Sequence, residues 1–180
     1  MKTFIFLAHG FEEIEAITTI DILRRAEIQV TTVSISDMKE VRGAHNIQIL
    51  ADSLFSETDF TGNNLLCLPG GMPGTKNLDA HEGLKKLIRK QVEEGNKVAA
   101  ICAAPYILGK MGLLNGKEAT CYPGYEDQLL GATLSEETVV KAGNIITAKG
   151  AGVAVQFALK LVAELKDQAS ADRIAVSICC

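Results

Sequence analysis

The sequence predicts a three-layer α/β sandwich built on a mostly parallel sheet. Apolar runs of strand length alternate with segments of helical period almost throughout the chain. The clearest runs are continuously apolar, as strands covered on both faces must be. With 180 residues, the chain fits one domain spanning 1–180, long enough to bury a sizeable core.

Thr3–Ala8 is the first such strand. Glu13–Ala26 follows with Ile14, Ile17, Ile20 and Leu23 at helical spacing, and Arg24-Arg25 suits the negative end of its dipole. Gln29–Ile35 is β-branched and reads as a strand. Val41–Ala44 reads as a turn leading into a short strand near Ile47–Leu50. Asn64–Leu68 is a buried-type strand ending in Pro69-Gly70-Gly71-Met72-Pro73-Gly74. Leu84–Glu94 is helical, stopped by Gly95-Asn96. Lys97–Ile101 is a strand and Ala103–Met111 a helix. Thr120–Pro123 and Val139–Thr147 are shorter strand signals, the second broken at Gly143-Asn144, and Gly152–Lys166 is an apolar helix.

Composition narrows the function. A net charge of −4 without a dense Lys/Arg run argues against nucleic acid as a partner. No stretch approaches membrane-spanning length. The apolar start stops at His9-Gly10 and turns acidic, so it reads as a buried strand and not a signal peptide. Five cysteines form no disulfide or zinc framework, and free thiols suit a reducing cytoplasm. The three histidines, His9, His45 and His81, make no metal-ligand pattern. His81 reads as solvated, His9 lines a pocket or caps a turn, and His45 is uncommitted.

Chemistry concentrates at strand ends. In a parallel sheet the turns after Thr3–Ala8 and Lys97–Ile101 fall on one edge, which brings Glu15 and Cys102 toward each other. A helix N-terminus lowers a thiol's pKa, and the small neighbours Ala99, Ala100, Ala103 and Ala104 permit a tight nucleophile-bearing turn. A buried structural cysteine is the competing reading of Cys102. Gly70 and Gly71 let backbone N–H groups turn inward, so that Gly71 and Ala103 can form an oxyanion hole; a plain tight turn is the alternative. Glu12 and Glu13 read as dipole complements. Burial and the neighbouring Glu12 favour a protonated Glu15, able to donate to sulfur.

These motifs together, Gly-Phe-Glu-Glu-Ile-Glu, Leu-Pro-Gly-Gly, Ala-Ala-Ile-Cys-Ala-Ala-Pro and Thr-Ala-Lys-Gly-Ala-Gly, resemble the DJ/ThiJ/PfpI superfamily over essentially the whole chain. The nearest branch is that of the Parkinson-associated deglycase and bacterial ThiJ-like proteins. The resemblance implies a flavodoxin-like sandwich, a homodimer, a reactive Cys102, a protonated Glu15 and backbone donors at Gly70, Gly71 and Ala103. It implies a glyoxalase or deglycase acting without metal or organic cofactor on small reactive carbonyls or glycated protein. A non-enzymatic redox sensor, with Cys121 as a resolving thiol, is the alternative. Ala103 stands where peptidase-like members carry histidine, and Tyr122 precedes Pro123 where human-like members carry histidine. His45 matches a region that family dimers bring toward the partner's pocket.

Overall fold

A computed structural model describes residues 2–180. Its centre is a seven-stranded sheet assembled from strands β1 (Lys2–Leu7), β2 (Gln29–Ser34), β5 (Ser53–Leu54), β6 (Asn63–Leu68), β7 (Lys97–Ile101), β10 (Val139–Ala142) and β11 (Ile145–Ala148). The spatial order is β10-β11-β7-β6-β1-β2-β5, with only β10 antiparallel. Gly143-Asn144 breaks the last strand signal as expected, turning it into the β10–β11 hairpin.

Helices α1 (Glu13–Arg25), α5 (Ala154–Leu165) and α6 (Gln168–Ser177) cover one face around Phe11, Leu23, Phe157 and Leu161. Helices α2 (Gly74–Ala80), α3 (Glu82–Glu93) and α4 (Pro105–Lys110) cover the other around Phe6, Leu84, Ile88 and Ile107. The flavodoxin-like three-layer sandwich follows directly from the continuous apolar strands, each of which has a core on both sides.

Four local expectations are corrected. Val41-Arg42 is not a turn but the end of β3 (Glu40–Arg42), which pairs antiparallel with β4 (Gln48–Leu50) outside the main sheet. Thr120–Pro123 is not a strand: β8 stops at Glu118–Ala119 and pairs with β9 (Thr133–Leu134), and the chain then bends. The α4 helix begins at Pro105, two residues later than expected, and α2 and α6 are additional.

The strand order places the site. The chain runs outward from β1 through β2 to β5, then returns to β6 on the other side of β1. That reversal lies between β1 and β6, where open α/β sheets leave a crevice at the carboxyl ends of their strands. Among the described residues no helix is long and apolar enough to cross a membrane.

Candidate active site

Glycines interlock the turn after β1 with the turn after β6. Across the two turns Gly70 O accepts from Glu12 N at 2.9 Å and Gly10 O from Gly74 N at 3.1 Å; within the second, Gly71 O accepts from Thr75 N at 2.9 Å. Gly10 and Gly71 have φ of +85° and +91°, and a side chain on Gly71 would overlap the Glu12 amide. Only residues without Cβ allow this approach.

The clasp delivers the start of α1 into the crevice. Glu15 is 1% exposed, and its Oε2 accepts from Gly70 N at 2.8 Å while Oε1 has no hydrogen-bond partner. Burial pushes this carboxyl up to about 7; the Gly70 N–H and the Cys102 thiol pull it back, and Glu12 adds to the rise.

Cys102 sits beyond β7 with a left-handed φ of +66°. That backbone costs a non-glycine residue about 1–3 kcal/mol, so it must be held by its surroundings. Cys102 N donates to Ala148 O at 2.9 Å, and Cys102 O accepts from Tyr122 N at 2.7 Å. The bend after β8 is the price of the second bond. The Glu15 carboxyl and the N–H groups of Ala103 and Gly71 lie close enough to the Cys102 thiol to shift its pKa.

Here one expectation is reversed. The thiol is not lowered by a helix dipole: burial first, then the charge and hydrogen bonding of Glu15, push it up to about 12, against the opposing N–H groups of Ala103 and Gly71. Helix α4 has six residues and starts three positions beyond Cys102, so its dipole is weak there. The thiol thus lies above the carboxyl, and the carboxyl is the first of the pair to lose its proton. Gly70 also departs from expectation, because its N–H serves Glu15 and not the sulfur.

A Cβ on Gly70 would lie 2.6 Å from the Cys102 Cβ and 2.8 Å from Glu15 Oε2. Gly70→Ala is expected to wedge the two apart. Overpacking of this kind costs about 1–3 kcal/mol, and misplacement near 1 Å lowers turnover on the order of 10²-fold. Chemical denaturation and steady-state rates check both effects.

The remaining candidates separate. Tyr122 and the sulfur both adjoin Gly150, where a Cβ would lie 3.2 Å from the Tyr122 ring and 3.9 Å from Cys102 Sγ. Cys121 points into the core on the α2–α4 side, whereas Cys102 packs against the opposite core, and burial pushes the Cys121 thiol up to about 11. That geometry does not suit a resolving thiol. His45 does not approach Cys102 within its own chain. Its Nδ1 lies 2.8 Å from Glu13 Oε2 and 3.7 Å from Glu12 Oε2, and Glu13 Oε1 accepts from His45 N at 2.7 Å. The ring's hydrogen bond to Glu13, then the charges of Glu12 and Glu13, raise the His45 pKa.

Residues 1–164 of the chain match the model of the DJ-1/PfpI family. The chain belongs to that family. It is 40% identical over 166 residues to Protein DJ-1 homolog B of Arabidopsis thaliana, covering 91% of this chain but 38% of that longer protein. It is 31% identical over 170 residues to Glutathione-independent glyoxalase DJR-1.2 of Caenorhabditis elegans, covering 93% of this chain and 90% of the relative. The solved structure of oxidized Toxoplasma gondii DJ-1 superposes with a TM-score of 0.95 at 35% identity, covering 98% and 97% of the two chains.

Within this DJ-1/PfpI chain, Glu13 is a further site-supporting residue. It is no mere dipole complement: 4% exposed, it holds the β3–β4 hairpin through His45 and Ile47. Burial raises its pKa, but the His45 ring and the backbone N–H groups outweigh that and leave it lowered. Ala148 and Gly150 belong to the Cys102 surroundings as well. His81 is half-buried and does more than face solvent: its Nδ1 accepts from Leu84 N at 3.0 Å and caps α3, and its ring packs on Phe55. His9 holds the hairpin instead of lining the crevice, accepting from Arg42 N at 3.1 Å.

Proposed function

We propose that this protein is a cysteine-dependent glyoxalase or deglycase that converts 2-oxoaldehydes such as methylglyoxal, or their early adducts, to 2-hydroxy acids. One observation carries the reading: a buried carboxyl, poised near neutrality, has one oxygen anchored on Gly70 N and the other unpartnered beside a thiol. A proton carrier works best with a pKa close to the working pH. The name of the C. elegans relative supports the same chemistry.

The Cys102 sulfur attacks the aldehyde carbon as its proton passes to the Glu15 carboxylate. The new oxyanion faces the Gly71 and Ala103 N–H groups and takes that proton, giving a hemithioacetal. Glu15, again ionised, removes the hydrogen of the former aldehyde carbon as a proton and returns it to the neighbouring ketone carbon, while the hemithioacetal hydroxyl proton passes to the former ketone oxygen. The product is a thioester of a 2-hydroxy acid, which water cleaves to lactate and free thiol. The aldehyde carbon is oxidised and the ketone carbon reduced, so no outside oxidant enters. With an adduct, the sulfur displaces the amine or thiol, which leaves with the proton from Glu15.

Proton NMR of methylglyoxal with the protein, without added thiol, tests the reading. Lactate is expected, and its absence overturns it. A second reading, a redox sensor, is favoured by the same two N–H groups, which would hold a sulfinate. Absent lactate together with stable Cys102 sulfinate after mild peroxide selects it.

We infer in addition that the chain acts as a homodimer. Ile14 and Ile17 of α1, and Ile47 and Leu50 of the hairpin bound to it, are 41–68% exposed. Leu50→Asp is expected to shift sedimentation toward the monomer; a wild-type chain that sediments as a monomer removes the inference.

A further inference from the structure

Cys102 is held by both of its backbone groups, and both holds lead back to one strand. Its N–H donates to Ala148 O at 2.9 Å, and its C=O accepts from Tyr122 N at 2.7 Å. Ala148 closes β11, so the first hold is direct. The second depends on what seats the segment carrying Tyr122.

That segment has left its own strand. β8 ends at Ala119, whose carbonyl accepts from Ser135 N at 3.0 Å. Thr120 comes next and is 3% exposed, so its N–H needs a partner inside the protein. The partner is a side chain: Thr147 Oγ1 accepts from Thr120 N at 3.0 Å, in a buried bond spanning 27 residues.

Thr147 is the one polar residue of its strand. β11 reads Ile145-Ile146-Thr147-Ala148, is buried throughout and pairs on both sides, antiparallel with β10 and parallel with β7. Its backbone is therefore engaged in the sheet, and packing alone would accept valine, which has the same β-branched shape. A buried hydroxyl costs free energy unless it bonds. Here its bond is the one that seats Thr120. Adjacent residues of β11 thus reach Cys102 from two directions: Ala148 grips its N–H, and Thr147, through Thr120 and Tyr122, steadies its C=O.

We propose that Thr147 is a positioning residue of the active site, whose hydroxyl fixes the bend from Thr120 to Tyr122 and through it the left-handed backbone that sets the Cys102 thiol beside Glu15. The proposed carbonyl chemistry enters only through the effect on turnover; the effect on the thiol is independent of it. Burial and Glu15 push the thiol's pKa up, and the thiol in turn lowers that of Glu15. Loosening the bend lets the first fall and the second rise.

Thr147→Val removes the acceptor and keeps the shape, whereas Thr147→Ser keeps the acceptor. Alkylation by iodoacetamide, followed at each cysteine by mass spectrometry, reads the thiol. A thiol pKa lower by one gives about tenfold more thiolate near neutral pH. Cys102 of Thr147→Val is accordingly expected to react about tenfold faster or more, with Cys67, buried in the core, no faster than in the wild type. Methylglyoxal turnover is expected to fall in kcat on the order of 10²-fold with KM little changed. The midpoint of kcat/KM against pH should move above its wild-type value near 7. Thr147→Ser is expected to restore all of these. Should the valine chain not fold, Thr147→Ala against Thr147→Ser makes the same comparison. Cys102 alkylation no faster in the valine variant overturns the proposal. Equal acceleration at Cys67 also overturns it, because that marks general loosening. Failure of serine to restore what valine loses does the same, because that marks packing of the methyl group. If the wild type turns over no methylglyoxal, the carbonyl reading falls and alkylation alone decides on Thr147.

Discussion

Glu15→Gln is expected to lower methylglyoxal turnover by about 10²–10⁴-fold, the range for loss of a general acid–base group. The amide keeps the shape and can still accept from Gly70 N, but it cannot take the thiol proton or carry one between carbons. For the wild type, kcat/KM should rise with pH around a midpoint near 7, as the Glu15 carboxyl ionises; the variant should show no such step. A flat wild-type profile through this range would remove Glu15 from the role. The same substitution has a stability signature of opposite sign. A carboxyl raised in the folded state binds its proton more tightly there than in the unfolded chain. Its stabilising effect is complete below the unfolded value and is lost as pH rises through the folded one. From 4.5 to about 7 that loss amounts to about 3 kcal/mol. Urea titrations of the wild type should therefore show declining stability across this window, and those of Glu15→Gln should not.

Cys102→Ser is expected to abolish lactate formation. An alkoxide is far harder to generate than a thiolate, and Glu15 poised near 7 cannot remove a hydroxyl proton as it does that of a thiol. The fold should persist, because the backbone bonds from Cys102 to Ala148 and Tyr122 do not involve sulfur. Retained lactate production in the serine variant would refute covalent catalysis by sulfur. Loss of activity with an unchanged denaturation midpoint would support it. Cys102→Gly makes a useful control, since glycine adopts the left-handed backbone freely. It should be as inactive as serine, with the strain of about 1–3 kcal/mol relieved against the loss of a small side chain.

Much of this architecture is legible from residues alone, for a physical reason. Strands such as Thr3–Ala8 and Lys97–Ile101 are buried on both faces, so their identity is written locally in continuous apolar runs. The convergence of Glu15 and Cys102 is legible too, because both follow parallel strands and such turns share one edge. Contacts between distant, individually ordinary residues are not. Glu13 and His45 lie 32 residues apart, and nothing in either neighbourhood marks the pair. Helix α2, Gly-Thr-Lys-Asn-Leu-Asp-Ala, has seven residues and little apolar periodicity. It is helical because the clasp around Gly71 and Gly74 starts it. The short strand signal of Thr120–Pro123 misleads because tertiary bonding to Cys102 overrides local preference. The thiol's direction of shift misleads because an alanine-rich turn advertises a helix start, whereas desolvation by the layers around it cannot be seen in the order of residues.

The carbonyl that accepts from Cys102 belongs to Ala148, near the end of β11. During synthesis the nucleophile leaves the ribosome long before this anchor does. Until the final third of the polypeptide docks, nothing fixes residue 102 in its unusual bend or shields it beside the acid. Nascent or truncated chains would thus carry an ordinary cysteine. On the proposed chemistry, the thiol and its proton carrier come together only when the last parallel strand closes the molecule, so maturation itself completes the site.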